Sequence, residues 1–185
     1  MMTDSKPKSR LPRTGALVLI ALVLLIGSGV LSVWESYYRN QTAIAAIKDL
    51  EGTVESQFVY PAWFPEALKT KHWAAFERVT SVDLTITPIS DADLGQLQGL
   101  AELEYLSLDY NEIGDAGMEH LYGLTNLEYL SLDSTQVSDM GIEHFAGFTQ
   151  LKTLWIKNTQ VTKTGVEKLQ NALPNCAIFW IPPAE

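Results

Sequence analysis

Two kinds of side chain in this sequence are of types that bind metals or transfer protons. His120 and His144 each follow a glutamate, and Glu102 lies two residues before Glu104. A zinc site needs a third protein ligand at a suitable spacing, and the chain has neither an HExxH motif nor paired cysteines. Two glutamates at this spacing on a strand merely share a face, which does not indicate acid–base catalysis. The sequence therefore predicts no metal, no cofactor and no enzymatic activity.

The histidine pair follows from a 24-residue repeat. An apolar template occurs three times in the second half of the chain, as Leu103, Leu106, Leu108 and Ile113, as Leu127, Leu130, Leu132 and Val137, and as Leu151, Leu154, Ile156 and Val161. A period of about 20–29 residues with this pattern is typical of a β-strand and a return segment stacked into a solenoid. Shifted by one period, the template also fits at Val79 and at Ile178. We therefore predict an α/β leucine-rich-repeat solenoid over residues 79–181, with four repeats and a terminal strand.

The return segments carry helix signals. Ser138 and Asp139 precede Ile142, Phe145 and Phe148 at helical spacing, so they can cap a short helix that points these apolar side chains inward. Glycines recur in the first turn of this helix, at Gly117, Gly141 and Gly165. We attribute them to close packing between neighbouring repeats.

Residues 35–78 and 182–185 lie outside the repeats. Because solenoids need covered ends, we assign residues 35–78 as a juxtamembrane and N-terminal capping segment. Within it, Thr42–Leu50 has apolar residues at helical spacing before Gly52, a typical helix stop. Residues 61–78 have a second helical pattern that is rich in Trp and Phe. Residues 182–185 form a tail.

The N-terminal region predicts a membrane anchor. Residues 15–34 contain no charged side chain, and a helix of this length, at about 1.5 Å per residue, spans a bilayer core of about 30 Å. Four cations precede it, at Lys6, Lys8, Arg10 and Arg13. Positive-inside bias places the basic tail, residues 1–14, in the cytoplasm and the repeats outside it, in a single-pass protein of the cell membrane. The alternative is a cleaved signal peptide with the apolar core Ala16–Ile26, which would also export the repeats.

The outward residues of the strands form a candidate binding surface. At strand spacings of about 4.8 Å they align in columns across the repeats. The columns are Ser81, Tyr105, Tyr129, Thr153 and Ala177, then Asp83, Ser107, Ser131, Trp155 and Phe179, then Thr85, Asp109, Asp133, Lys157 and Ile181. Tyr and Trp are enriched in binding hot spots. The predicted partner-binding residues are Tyr105, Asp109, Tyr129, Asp133, Trp155 and Lys157. The alternative is that the tyrosines pair across strands and that the other aromatic residues cover the last strand.

The charge distribution restricts the class of partner. No Lys or Arg lies between Arg78 and Lys152, whereas 13 Asp or Glu do. Nucleic acid and anionic lipid headgroups would be repelled by such a surface. A cationic or neutral partner, or divalent cations, would suit it.

Four segments carry a family resemblance. They are AIKDLEGTV at residues 46–54, PAWFPEAL at 61–68, HWAAFERVTSVDL at 72–84 and LPNC at 173–176. With the repeat TxVxDxGxxxLxxLxxLxxLxL, they resemble the membrane-anchored leucine-rich-repeat proteins of planctomycete-type bacteria. The resemblance implies the fold but no shared activity. Two features depart from the pattern: Pro88 and Ile89 in the first repeat, and Lys163 in place of the Asp of the last Asp-x-Gly step.

Together these features predict a membrane-tethered protein-interaction scaffold. Its concave acidic and aromatic surface would face a protein, peptide or glycan outside the cytoplasm. One alternative is a structural envelope protein that self-associates through its repeats. Another is a cytosolic adaptor with repeats similar to those of F-box proteins, which the predicted anchor and the lack of an adaptor domain disfavour.

Overall fold

The computed structural model describes residues 37–60, 62, 65–69 and 76–182, which belong to one compact unit, Ser36–Glu185. The predicted basic tail at 1–14 and membrane helix at 15–34 lie outside the described residues, as do residues 183–185 of the tail. Within the described ranges, no helix has the length and apolar character needed to cross a membrane.

Six strands in the described part of the chain form one sheet in the order of the sequence. They are β1 (Thr53–Phe58), β2 (Glu77–Asp83), β3 (Tyr105–Ser107), β4 (Tyr129–Ser131), β5 (Thr153–Trp155) and β6 (Ala177–Phe179). Strands β2 to β6 are parallel, and each pairs with the next at a register of 24 residues, such as Leu106 with Leu130. The predicted four repeats and terminal strand are therefore confirmed.

Helical return segments connect the parallel strands. They are a 3-10 helix over Asp91–Leu97, α2 (Asp115–Met118) followed by a 3-10 turn over Glu119–Leu121, α3 (Asp139–Glu143) followed by a 3-10 turn over His144–Gly147, and α4 (Lys163–Ala172). As predicted, Ser138 caps α3 by accepting a hydrogen bond from the Met140 N–H at 3.3 Å. The inward side chains Ile142, Phe145 and Phe148 are buried with the strand leucines in one continuous core.

Aspartates link each return segment to the next repeat. Asp115 accepts hydrogen bonds from the Ser138 N–H at 2.8 Å and from the Ser138 hydroxyl at 2.6 Å. Asp91 accepts from the Gly114 N–H at 2.8 Å, and Asp139 accepts from the Thr162 N–H and hydroxyl, both at 2.7 Å. We call Asp91, Asp115 and Asp139 the aspartate ladder. Lys163 stands at the equivalent position of the last repeat.

The recurring glycines lie directly against this ladder. A Cβ atom at Gly117 would lie 2.5 Å from Oδ1 of Asp91, and Gly141 and Gly165 meet Asp115 and Asp139 in the same way. A larger residue would therefore displace the carboxylate from its hydrogen bonds. This confirms that the glycines permit close packing between repeats.

The N-terminal end of the stack is covered by a helix and an antiparallel strand. Helix α1, residues 37–49, buries Ala43 and Ile47 against the core. The chain then turns at Glu51, whose φ of 61° lies in the left-handed region. This turn comes one residue before Gly52, the predicted helix stop. Strand β1, which lies outside the repeat pattern and was not predicted, pairs antiparallel with β2.

The prediction of a second capping helix over residues 61–78 is wrong at the C-terminal end of that range. Glu77 and Arg78 belong to β2, because they continue the antiparallel pairing with β1 beyond the repeat boundary. A 3-10 turn covers Glu66–Leu68. Residues 61, 63–64 and 70–75 lie outside the described part of the chain.

The opposite end of the stack is closed by β6 and the residues around it. The indole N–H of Trp180 donates to the Val161 carbonyl at 2.9 Å. Cys176 is buried at the start of β6, and burial raises the pKa of its thiol. A neutral thiol packed as a small apolar side chain suits a structural role.

Candidate functional site

One face of the parallel sheet is turned away from the helical segments, and we call it the open face. It carries the predicted columns of strand residues, although Ser107 and Ser131 of the second column are buried. Tyr105 pairs with Tyr129, and Ser131 pairs with Trp155. The tyrosine side chains are 36% and 37% exposed, although the leucines that alternate with them are fully buried. The two tyrosines therefore lie on neighbouring strands, whose backbones are about 4.8 Å apart, and their side chains are partly exposed.

The other aromatic residues of the open face form a separate pair. Trp155 stacks on Phe179 with ring centroids 5.8 Å apart and an interplanar angle of 13°. Trp155 lies opposite Ser131 and not opposite Tyr129, so it belongs to the next column. The predicted aromatic surface consequently has two parts, the tyrosine pair and the Trp155–Phe179 stack.

Asp109 and Asp133 make hydrogen bonds within the open face. Oδ1 of Asp109 accepts from the Ser131 hydroxyl at 2.6 Å and from the Asp133 N–H at 2.7 Å. Oδ1 of Asp133 accepts from the Lys157 N–H at 2.6 Å, and Oδ2 lies 3.9 Å from the Lys157 ammonium. Both predicted binding aspartates therefore also join neighbouring repeats. These contacts hold their carboxylates in fixed positions on the open face.

The open face disfavours additional negative charge. Burial raises the pKa of Tyr105, and the charges of Asp83 and Asp109 raise it further. Burial also raises the pKa of Asp133; the bond from the Lys157 N–H opposes this change, and the charge of Asp109 adds to it. The carboxylate of Asp109 thus acts on both of its neighbours. A cation placed here would relieve this repulsion.

The cations of the open face lie toward its C-terminal side. Lys152 donates to Glu128 at 2.6 Å, and Lys157 lies near Asp133. Each lysine therefore partly neutralises an acid of the preceding repeat. No Lys or Arg of the sequence lies among the residues from Val79 to Leu151. Lys152 also lies close enough to Tyr129 to interact with it. The acidic character is therefore strongest on the Tyr105 side of the pair, where Asp83 and Asp109 act on the tyrosine.

Two further exposed residues, which the column pattern does not include, lie just beyond the carboxyl ends of the strands. Ile86 and Tyr110 directly follow the third column and are 74% and 61% exposed. Both have left-handed backbone conformations, with φ of 56° and 59°. The 24-residue register relates them to Ser134 and Asn158, which have the same conformation. Extending the columns by one residue would have shown two large side chains where the later repeats have small polar ones.

The histidines show no grouping typical of a metal centre. Nδ1 of His120 lies 3.1 Å from Nε2 of Gln98, a contact within the helical side of the stack. Among the described residues, no group of three or more His, Cys, Asp or Glu is placed to hold a metal ion. The open face is therefore the candidate site that the geometry offers.

The fold is a leucine-rich-repeat α/β fold. The family model described as Leucine rich repeat matches residues 77–137. Among solved structures, the chain is similar to an internalin C2 from Listeria monocytogenes, with 34% identity over 54% of this chain and 40% of that chain and a TM-score of 0.47. An internalin (inlF) from the same organism has 20% identity, covers 57% of this chain and 35% of that chain, and has a TM-score of 0.40.

A plant structure is also similar. The leucine-rich-repeat ectodomain of the receptor kinase SOBIR1 from Arabidopsis thaliana has 14% identity over 76% of this chain and 92% of that chain, with a TM-score of 0.42. The chain spans less than half the length of each internalin chain. No curated protein matches the chain significantly.

Proposed function

We propose that this protein is an interaction scaffold whose open face binds a cationic segment of a partner protein. The observation that carries the proposal is the tyrosine pair: Tyr105 and Tyr129 lie side by side, more than one third exposed, and add little to the core. Tyrosine buries a large area on binding and loses few rotamers, which makes such pairs effective anchors. The neighbouring carboxylates favour a partner with Lys or Arg.

The proposal assigns no catalytic role to the protein. The carboxylates of Asp109 and Asp133 are already bonded to backbone and hydroxyl groups of neighbouring repeats. Carboxylates held in this way are suited to orienting a cation and fixing the sheet. We therefore propose that the protein acts by binding alone.

We further propose that residues 15–34 tether the repeats to a bacterial cell membrane, with the open face outside the cytoplasm. The support is the charge-free run and the four cations before it. A phosphatase reporter fused after Glu185, active only outside the cytoplasm, tests this topology. Its activity is expected in intact cells, and an inactive fusion with full expression contradicts the tether.

The binding proposal is tested by replacing the exposed aromatic residues. In the full chain, Tyr105, Tyr129 and Trp155 are changed together to Ala, and the variant is used to select binders from random 12-residue peptides displayed on phage. The wild-type chain is expected to enrich peptides rich in Lys and Arg, and the triple variant to lose them. Far-UV circular dichroism serves as the folding control.

Two results would overturn the proposal. One is equal enrichment of cationic peptides by the folded triple variant. The other is concentration-dependent oligomerisation of the full chain that the triple variant abolishes, because the open face would then contact a second copy. Light scattering after size-exclusion chromatography measures this second outcome.

A further inference from the structure

The residues at the left-handed turn after each strand differ sharply in type. This position is occupied by Ile86, Tyr110, Ser134 and Asn158, with φ between 54° and 59°. Asn and small polar residues tolerate this conformation, whereas a β-branched residue such as Ile is strongly disfavoured in it. The first two repeats therefore carry residues that oppose their own backbone conformation.

Packing within the described structure offers little compensation for this strain. Ile86 is 74% exposed and Tyr110 is 61% exposed. The backbone at the two turns is held by the sheet, because the Ile86 N–H donates to the Asp109 carbonyl at 3.0 Å and the Tyr110 N–H donates to the Asp133 carbonyl at 2.9 Å. The strained conformation is thus imposed by the repeat, and the side chains project into solvent.

Ile86 and Tyr110 occupy equivalent positions in adjacent repeats, at one edge of the open face. Their turns belong to adjacent repeats, and each directly follows a residue of the third column, Thr85 or Asp109. Glu112 lies just beyond Tyr110 and is exposed. The surroundings combine apolar area with negative charge and lie within the cation-free part of the sequence.

We infer that Ile86 and Tyr110 form a rim contact that receives an apolar side chain of a cationic protein segment, at the expense of folding stability. The inference rests on the proposed function, because the same segment would continue from the tyrosine pair across the rim. The occupant is argued from charge complementarity: acidic groups flank the apolar pair, so basic residues should flank the apolar side chain of the partner. Such a binding role would explain why exposed apolar residues occupy strained turns.

Replacing the two side chains should raise the melting temperature and weaken binding, and the test measures both. The full chain with Ile86→Asn and Tyr110→Asn should melt about 2–4 °C higher for each substitution, because Asn tolerates the left-handed conformation. The probe is a cationic 12-residue peptide selected on the wild-type chain. Its Kd for the double variant, measured by isothermal titration calorimetry, should rise at least about tenfold.

A matched control and the open-face variant separate the possible outcomes. Ser134→Asn changes the equivalent turn of the next repeat and should leave Kd unchanged. If the double variant binds the peptide as tightly as wild type while the Tyr105, Tyr129 and Trp155 variant does not, the rim inference is wrong and the proposed function stands. If neither variant loses affinity, or no cationic peptide is enriched, both are wrong. A lower melting temperature of the double variant would also overturn the inference.

Discussion

Asp115 provides the most direct test of how the repeats are joined. Its two carboxylate oxygens accept from the N–H and the hydroxyl of Ser138, at 2.8 and 2.6 Å. Asp115→Ala removes both acceptors and leaves a partly buried backbone N–H without its partner. Hydrogen bonds to charged groups contribute about 1.5–3 kcal/mol each, and the Ser138 hydroxyl can turn to water. We expect the free energy of unfolding to fall by about 2–4 kcal/mol.

The assay is urea denaturation followed by far-UV circular dichroism. Asp115→Asn keeps one acceptor for the Ser138 N–H and should cost only about 1 kcal/mol. Lys163 is the matched control, because it occupies the ladder position in the last repeat. Lys163→Ala should change stability by less than about 0.5 kcal/mol.

A double-mutant cycle separates the hydrogen bonds from packing. Gly141→Ala places a methyl group against the Asp115 carboxylate, and also 2.8 Å from Val137 Cγ1. Removing the carboxylate should relieve part of that clash, so the two losses should not add. Additive losses, or an Asp115→Ala variant within about 0.5 kcal/mol of wild type, would refute the role assigned to the aspartate ladder.

Three further predictions concern the core, a turn and the open face. Leu130→Ala, at a fully buried site, should cost about 2–5 kcal/mol, whereas Tyr129→Ala next to it should cost less than about 1 kcal/mol in urea denaturation. Asn111 is buried and donates to two backbone carbonyls at 2.7 and 2.9 Å, so Asn111→Ala should cost about 2–4 kcal/mol by the same assay. Burial raises the pKa of Asp133, so its ionised form opposes folding above that pKa. Asp133→Asn should therefore exceed wild type in melting temperature at pH 7, and the difference should vanish as the pH falls below 3.8, the ordinary value.

The repeated part of the fold could be predicted because its information is periodic. A position such as Leu106 has the same surroundings as Leu130, so three clear copies locate the weaker copies at Val79 and Ile178. The same register predicts that Tyr105 lies beside Tyr129, and the strand pairing confirms it. The helix cap at Ser138 could be predicted because it depends only on neighbouring residues.

The remaining features of the fold depend on contacts that leave no periodic pattern in the sequence. Strand β1 pairs once, antiparallel, and its alternation extends over only Thr53–Phe58. The hydrogen bond from Ser138 to Asp115 joins residues 23 positions apart and requires both turns to be formed. The strain at Ile86 arises from a backbone angle that the repeat imposes, whatever residue stands there. Such features can be recognised only from the folded structure.

The direction of the aspartate ladder has a consequence for synthesis. In every step the acceptor lies in the earlier repeat and the N–H donor in the later one, from Asp91 to Gly114 and from Asp139 to Thr162. During synthesis, the carboxylate of each earlier repeat is therefore made first, and water solvates it until the next repeat has been made. The backbone N–H of each new repeat then has its acceptor in the repeat that precedes it.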